Sequence, residues 1–289
     1  MTNEHPSTCH YVPRHGISLI QVILEQVQHN ARRCHFEMRR ATTIEKSHSF
    51  QKHIEKKISH APAGRFEMTI ELNLQNRRQM TQNIQIHNQE FQLHPLGGLF
   101  WEEKSLLLIS DVHLGKVSHF RKFGAAVPRK AIHKNFLLLD KIFSDFQPFQ
   151  ICFLGDLFHS SFNKEWELFE NWVGKTPSEI LLVAGNHDII APEKFEKLKI
   201  SIFPELVIDS FLLTHHPEER EGYFTFCGHI HPSIKLKGFG RERIKLPCFF
   251  KSNNQMILPA FGQFTGTHSL DPKDSDEVFA IVEDSIIKV

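Results

Sequence analysis

Between residues 80 and 289, short apolar runs alternate with polar stretches at two periods, and the period predicts the element. Ile84, Ile86, Phe91 and Leu93 alternate with polar neighbours around His87-Asn88-Gln89, which predicts a hairpin. Ser105 to Ser110 (SLLLIS), Phe149 to Leu154, Glu179 to Ala184 (EILLVA), Phe211 to Thr214 and Tyr223 to Cys227 are brief and mainly apolar, as buried strands are. Residues 129–146 (RKAIHKNFLLLDKIFSDF) repeat instead at helical spacing, with Pro128 just ahead of the first turn. Asn163 to Trp172 and Pro192 to Leu198 read as two more helices. Further apolar runs lie near 246–250, 255–261 and 277–281. The first half thus alternates strand and helix and the second is strand-rich. That order predicts an α/β sandwich rather than a simple doubly wound sheet. No internal repeat is visible.

Residues 1–79 do not share this patterning. Residues 17–33 could form an amphipathic helix with Ile17, Ile20, Leu24 and Val27 on one face, and 69–74 (TIELNL) alternates like a strand. The rest is rich in Gln, Arg and Ser. The stretch reads as a poorly ordered N-terminal extension or a mis-assigned start, with Met68 and Met80 as alternative starts, ahead of one catalytic domain over 80–289.

Composition adds three constraints. Hydrophobic types make up 40% of the 289 residues, enough for a sizeable core. The net charge of +1 is unevenly spread: residues 1–79 carry 12 Lys/Arg and 7 Glu with no Asp, while 80–289 carry 22 Lys/Arg and 26 Asp/Glu. The catalytic part is therefore not a generally basic nucleic-acid binder, and a polyanion must be held by a local patch. Cys9, Cys34, Cys152, Cys227 and Cys248 are scattered and form no C-x-x-C pair, which argues against a disulfide framework or zinc ribbon and for a cytoplasmic location. Cys152 and Cys227 lie inside apolar runs and read as small core residues. No apolar stretch reaches membrane-spanning length, and Ile17 to Val27 is broken by Gln21, Glu25 and Gln26.

The chemistry lies in five short clusters in a fixed order: Asp111-Val112-His113, Gly155-Asp156, Gly185-Asn186-His187-Asp188, Thr214-His215-His216-Pro217 and Gly228-His229-Ile230-His231. Most follow a predicted strand, so each sets carboxylate, amide or imidazole groups at a strand end. Such mixed oxygen and nitrogen donors suit hard and borderline divalent cations. Asp111 and His113 share a face of an extended segment and can bind one ion together. Two neighbouring ions need a shared carboxylate to offset their repulsion, and Asp156 is the natural bridge. His229 and His231 can serve one ion each, Asn186 offers a carbonyl oxygen, and His215 completes the second ion. Gly155, Gly185 and Gly228 stand just before the ligands, where a missing Cβ permits close approach.

D-x-H, G-D, G-N-H-[DE], H and G-H-x-H in this order resemble the signature of the calcineurin-like metallophosphoesterase superfamily over about 105–231. The resemblance implies a four-layer αββα sandwich of two mixed β-sheets flanked by helices. It implies a first ion held by Asp111, His113, Asp156 and His231, and a second by Asp156, Asn186, His215 and His229. His187 would be the acid near the leaving group, with Asp188 orienting its ring. A narrower likeness covers 80–289. Gly97 to Trp101 (GGLFW), His113-Leu114-Gly115-Lys116, Ser118-His119-Phe120-Arg121, Gly124, Pro128, Gly155 to His159 and Gly228 to Pro232 are similar to the bacterial DNA-ligase-associated metallophosphoesterases. That branch implies manganese (iron or zinc being the other fitting ions), phosphodiester or nucleic-acid substrates, DNA repair, and a DNA ligase or helicase as partner. A phosphatase or pyrophosphatase acting on nucleotides or other small phosphoesters is the alternative.

Other residues divide less sharply. Lys116, Arg121, Lys122, Arg129 and Lys130 form either a solvated face or a grip on a phosphate backbone beside the site. Lys235, Lys237, Arg241, Arg243 and Lys245 form a second basic cluster. His159, three residues past Asp156, lies either over the site or on the surface. His216 reads as a structural neighbour of the ligand His215, and His119 and His133 as ordinary polar residues.

Overall fold

The computed structural model describes residues 81–122, 124, 130–159, 164–237, 243–262 and 265–289. The expectations for residues 1–79, including a helix over 17–33 and a strand over 69–74, lie outside them. The chain runs β1 (Gln82–Ile86), β2 (Gln89–Leu93), β3 (Leu99–Trp101), β4 (Leu106–Ile109), α1 (Lys116–Lys122), α2 (Lys130–Phe146), β5 (Gln150–Leu154), α3 (Lys164–Val173), β6 (Glu179–Val183), α4 (Pro192–Lys197) and β7 (Ser201–Phe203). These strands form one seven-stranded sheet in sequential order. β8 (Leu206–Ile208), β9 (Phe211–Leu213), β10 (Phe224–Cys227), β11 (Pro232–Lys237), β12 (Arg243–Lys251), β13 (Gln255–Ile257), β14 (His268–Ser269), β15 (Glu277–Val282) and β16 (Ser285–Lys288) form the second.

The predicted hairpin is present. His87 and Asn88 link β1 to β2 with φ of 48° and 60°, the two left-handed residues of a tight two-residue turn. β1 to β4 pair antiparallel, whereas β4, β5, β6 and β7 pair parallel, so the sheet is mixed. The second sheet is mixed too: β9, β10 and β13 run parallel, while β12 is antiparallel to β13 and β15.

Side-chain alternation explains how the sheets stack. In β4, Leu106 and Leu108 face the space between the sheets, while Leu107 and Ile109 face the helices. The same split divides Cys152 and Leu154 from Ile151 and Phe153, and Leu181 and Val183 from Ile180 and Leu182. Strands buried on both faces read as continuous apolar runs, as these do. Phe91, Trp101, Phe211, Phe226, Phe249 and Met256 fill the layer between the sheets. Phe136, Leu139 and Ile142 of α2, Trp166 and Phe169 of α3, and Phe195 of α4 pack on the outer face of the first sheet. Each such side chain contributes about 1.5–3 kcal/mol on burial. Cys152 and Cys227 are fully buried, as expected of core residues. Among the described residues no helix is long and apolar enough to cross a membrane.

Candidate metal centre

The carboxyl ends of β4, β5 and β6 lie at one edge of their parallel sheet, where open α/β sheets place ligands. The loop after β4 is laced to the loop after β5. Asp111 donates its amide to the Gly155 carbonyl (3.3 Å), His113 to Asp156 (3.0 Å) and Leu114 to Leu157 (2.8 Å), and His159 returns one to Leu114 (2.9 Å). The second sheet closes on the same point. Gly228 donates to the His215 carbonyl (3.0 Å), and the amide of His229 donates to Asp111 Oδ2 (3.0 Å). A later segment forms a further wall, with Phe261 N–H on the Ser110 carbonyl (2.9 Å) and Gly262 N–H on that of Asp111 (3.0 Å).

All seven expected ligands meet here. His231 Nε2 lies 3.1 Å from Asp111 Oδ1 and 3.3 Å from His113 Nε2. His215 Nε2 lies 3.0 Å from Asn186 Oδ1, 3.2 Å from His229 Nδ1 and 3.4 Å from Asp156 Oδ1. Asp111, Asp156 and His215 bring ligand atoms within 4.8 Å of one another and join the two groups. Two carbonyls fix ring tautomers. Nδ1–H of His215 donates to Leu154 (2.9 Å) and Nδ1–H of His231 donates to Gly266 (3.0 Å). A neutral ring held this way carries its lone pair on Nε2, the form that binds metal.

Among the described residues, one donor oxygen is left without a hydrogen-bond partner. Asp111 is fully buried, and its Oδ1 has no hydrogen-bond partner although His231 Nε2 is close. A carboxylate oxygen is costly to bury without one. Burial works to raise the Asp111 carboxyl, but the His231 ring and the Ser110 hydroxyl outweigh it and hold the group below its ordinary range. Burial pushes His113 down to about 3, so its ring is neutral and its lone pair is available. A buried carboxylate with one unpaired oxygen, set among imidazole lone pairs, fits divalent cations, and the residues present could supply two overlapping donor sets.

Close packing at the site leaves no room for a Cβ at several glycines, Gly228 and Gly155 among them. A Cβ on Gly228 would lie 1.6 Å from Ser110 Oγ and 2.5 Å from Asp111 Oδ2. A Cβ on Gly155 would lie 2.3 Å from the His215 ring, and its φ of 76° is also a glycine conformation.

His187 stands at the rim, its amide bound to Asp156 Oδ1 (2.9 Å) and its ring 5.9 Å from His113 and 4.9 Å from His159. Asp188 acts differently from the expected ring contact. Its two oxygens accept the amides of Phe158 (3.1 Å) and Gly185 (2.9 Å), so it fixes the loop that carries His187 rather than the ring itself. Of the two readings of His159, the structure supports the one over the site: its ring is 5.4 Å from His113 and 5.6 Å from His119. Lys116 is half-buried, and burial lowers its pKa while the Asp111 and Asp156 charges act against that. The side chains of Lys122, Arg129, Lys130, Lys237 and Arg241 lie outside the described residues. Lys235 and Arg243 are exposed, and Lys245 is tied to the Thr267 carbonyl (2.6 Å).

Several supporting groups carried no sequence signal. Ser110 bonds Asp111. Glu165, buried in α3, accepts the amide of Gly115 and the hydroxyl of Ser118 (2.7 Å), holding the start of α1 beside the site. The Gly266 carbonyl orients His231. Only a partner three-dimensional position distinguishes such residues from ordinary loop and helix residues.

The calcineurin-like phosphoesterase family model matches residues 104–254. The crystal structure of a Pseudomonas putida nuclease MPE is similar at a TM-score of 0.63 and 26% identity, covering 72% of this chain and all of that one. A protein of unknown function from Aquifex aeolicus matches at a TM-score of 0.34 and 18% identity, over 44% of this chain and 78% of that one, too loosely to bear on the argument. No curated protein matches the chain. The matched span runs from the strand before Asp111 past His231, so it contains every candidate ligand placed above, and the chain belongs to the calcineurin-like phosphoesterases, a family of metal-dependent phosphoester hydrolases.

Proposed function

We propose that this chain is a dinuclear phosphodiesterase that cuts nucleic acid internally, an endonuclease of DNA repair. The observation that carries the reading is the meeting of Asp111, His113, Asp156, Asn186, His215, His229 and His231 around an orphan carboxylate oxygen. The likeness to a nuclease supports a phosphodiester substrate. Manganese is the ion we assign, with iron and zinc compatible with the same donors. When bound, the ions supply Lewis acidity toward the phosphate oxygens and an activated water.

The chain's own residues do the rest. Asp111, His113 and His231 face one position, and Asn186, His215 and His229 face the other, with Asp156 between them. His187 carries the proton that the departing oxygen requires, and the loop clamp of Asp188 keeps it at the rim. Lys116 offers positive charge to a neighbouring phosphate. Residues 80–289 make up this catalytic domain, with 1–79 an extension to it. A cytoplasmic location and a DNA ligase or helicase partner follow from the family likeness.

The test is a screen of the full chain with Mn²⁺, Fe²⁺ and Zn²⁺ against an aryl phosphodiester, an aryl phosphomonoester, single-stranded DNA and duplex DNA. The reading expects metal-dependent cleavage of the diester and of internal DNA bonds. Hydrolysis confined to the monoester or to nucleotides would replace it with a phosphatase.

A further inference from the structure

His216 has no place in the two ligand sets, yet its ring lies against them. β9 ends at Leu213, and Thr214 Oγ1 donates to the His216 carbonyl (2.8 Å) in a turn. An extended chain would send His215 and His216 to opposite faces. The turn brings both rings to one side. Ring centroids stand 4.8 Å apart for His215 and His216, 4.2 Å for His216 and His229, and 5.0 Å for His215 and His229. One ring nitrogen from each of the three lies within 4.8 Å of the others. Nitrogens sharing one zinc-sized ion, with bonds near 2.0–2.1 Å, stand at most about 4.2 Å apart. The remaining gap is small for His216, whose side chain is exposed.

We propose that His216 is a further ligand of the second ion, making that position a three-imidazole site unlike the first. The inference rests on the reading of His215 and His229 as that ion's ligands. The first position gathers Asp111, His113, Asp156 and His231, two carboxylates to two imidazoles. The second gathers three imidazoles with Asp156 and the Asn186 carbonyl. Added imidazole donors favour later first-row ions over manganese. The preference for Co²⁺ or Zn²⁺ over Mn²⁺ is therefore greater at the second position, and the two positions fill in sequence. His216 enters from the solvent side, so it also narrows the face by which phosphate approaches that ion.

The experiment uses the full chain stripped with chelator and titrated with Co²⁺, reading heat and visible absorption. Wild type takes up two ions. His216→Ala, a surface change that leaves the melting temperature of the metal-free protein unaltered, binds one of them about tenfold or more weakly. The absorption bands of that ion shift and those of the other stay. His216→Asp, which restores a donor, recovers part of the affinity. If wild type binds two ions and His216→Ala binds both with unchanged affinity and spectrum, the inference is overturned while the dinuclear reading stands. If wild type itself takes up fewer than two, or His215→Ala loses neither, the dinuclear reading falls and this inference with it.

Discussion

Asp111, His113, Asp156, His229 and His231 all hold φ between 50° and 67°, the left-handed region. That region costs a non-glycine residue of the order of 1 kcal/mol or more. Strain at five site residues is tolerated because the backbone around them is over-determined: Asp111, His113, Gly228 and His229 each spend an amide on a neighbouring loop of the same site. Asp156 stands between the two groups of donors. Asp156→Ala is expected to lose both ions and abolish hydrolysis, as metal content and turnover will show. His187→Ala should keep its metal but slow turnover by about 10²–10⁴-fold, most for poor leaving groups, the range for a lost general acid. Full activity of that variant on an alkyl phosphodiester would remove His187 from the acid role. Gly228→Ala must displace Ser110 or Asp111, since the new Cβ cannot stand 1.6 Å from a hydroxyl. Metal affinity should fall in that variant even where the fold survives, which calorimetric titration can read.

At the scale of elements, the sequence was informative wherever a run had a clear period. α2 begins and ends within a residue of its predicted span, and β4, β5, β6, β9 and β10 lie where brief apolar runs end in ligands. β7, β8, β14 and β16 were not foreseen. They are two to four residues long, too short for a period to show, and are fixed by pairing: β8 with β9, β16 with β15, β7 with β6 and β14 with β11. β11 (PSIKLK) gave no strand reading, because its lysines belong in sequence to a basic cluster. Glu165 shows why support for the site stayed hidden: in sequence it is one acidic residue in the first turn of α3, where acids are ordinary. In space it takes the Gly115 amide and both donors of Ser118. Glu165→Ala would strand these donors, at about 1–3 kcal/mol for each buried group left unpaired. The expected result is a lower melting temperature together with a raised KM, because α1 and Lys116 lose their anchor.

At the scale of the molecule, two contacts far apart in sequence decide whether the site assembles. One is the inter-sheet layer of Phe91, Trp101, Phe211 and Phe226, which brings the loops after β9 and β10 over those after β4 and β5. The other is the set of backbone bonds from Phe261, Gly262 and Gly266 to Ser110, Asp111 and His231. The residues that meet at the site were therefore legible and the wall behind them was not. The first sheet is also tied to α2 by His94. Its Nε2 lies 3.2 Å from Asp145 Oδ2, and its Nδ1 accepts the Leu96 amide (3.1 Å). Burial lowers His94 from 6.5 to about 4, with Asp145 opposing and Lys141 assisting. The neutral ring is the folded form, so its contribution is complete above the unfolded value and is lost as pH falls from about 6.5 to about 4. At 1.36 kcal/mol per unit the loss is about 3 kcal/mol. Denaturant titrations at pH 7 and pH 4 should show His94→Gln losing less stability across that window than wild type. An equal loss would mean that protonation of other groups sets the acid limit.

The central claim is that separate strand ends enclose a pair of neighbouring cations. Anomalous diffraction from crystals grown with Mn²⁺ measures this directly. The account predicts two peaks about 3.5–4 Å apart, with Asp156 touching both, Asp111, His113 and His231 on one, and Asn186, His215 and His229 on the other. A single peak, or peaks away from these side chains, would contradict it.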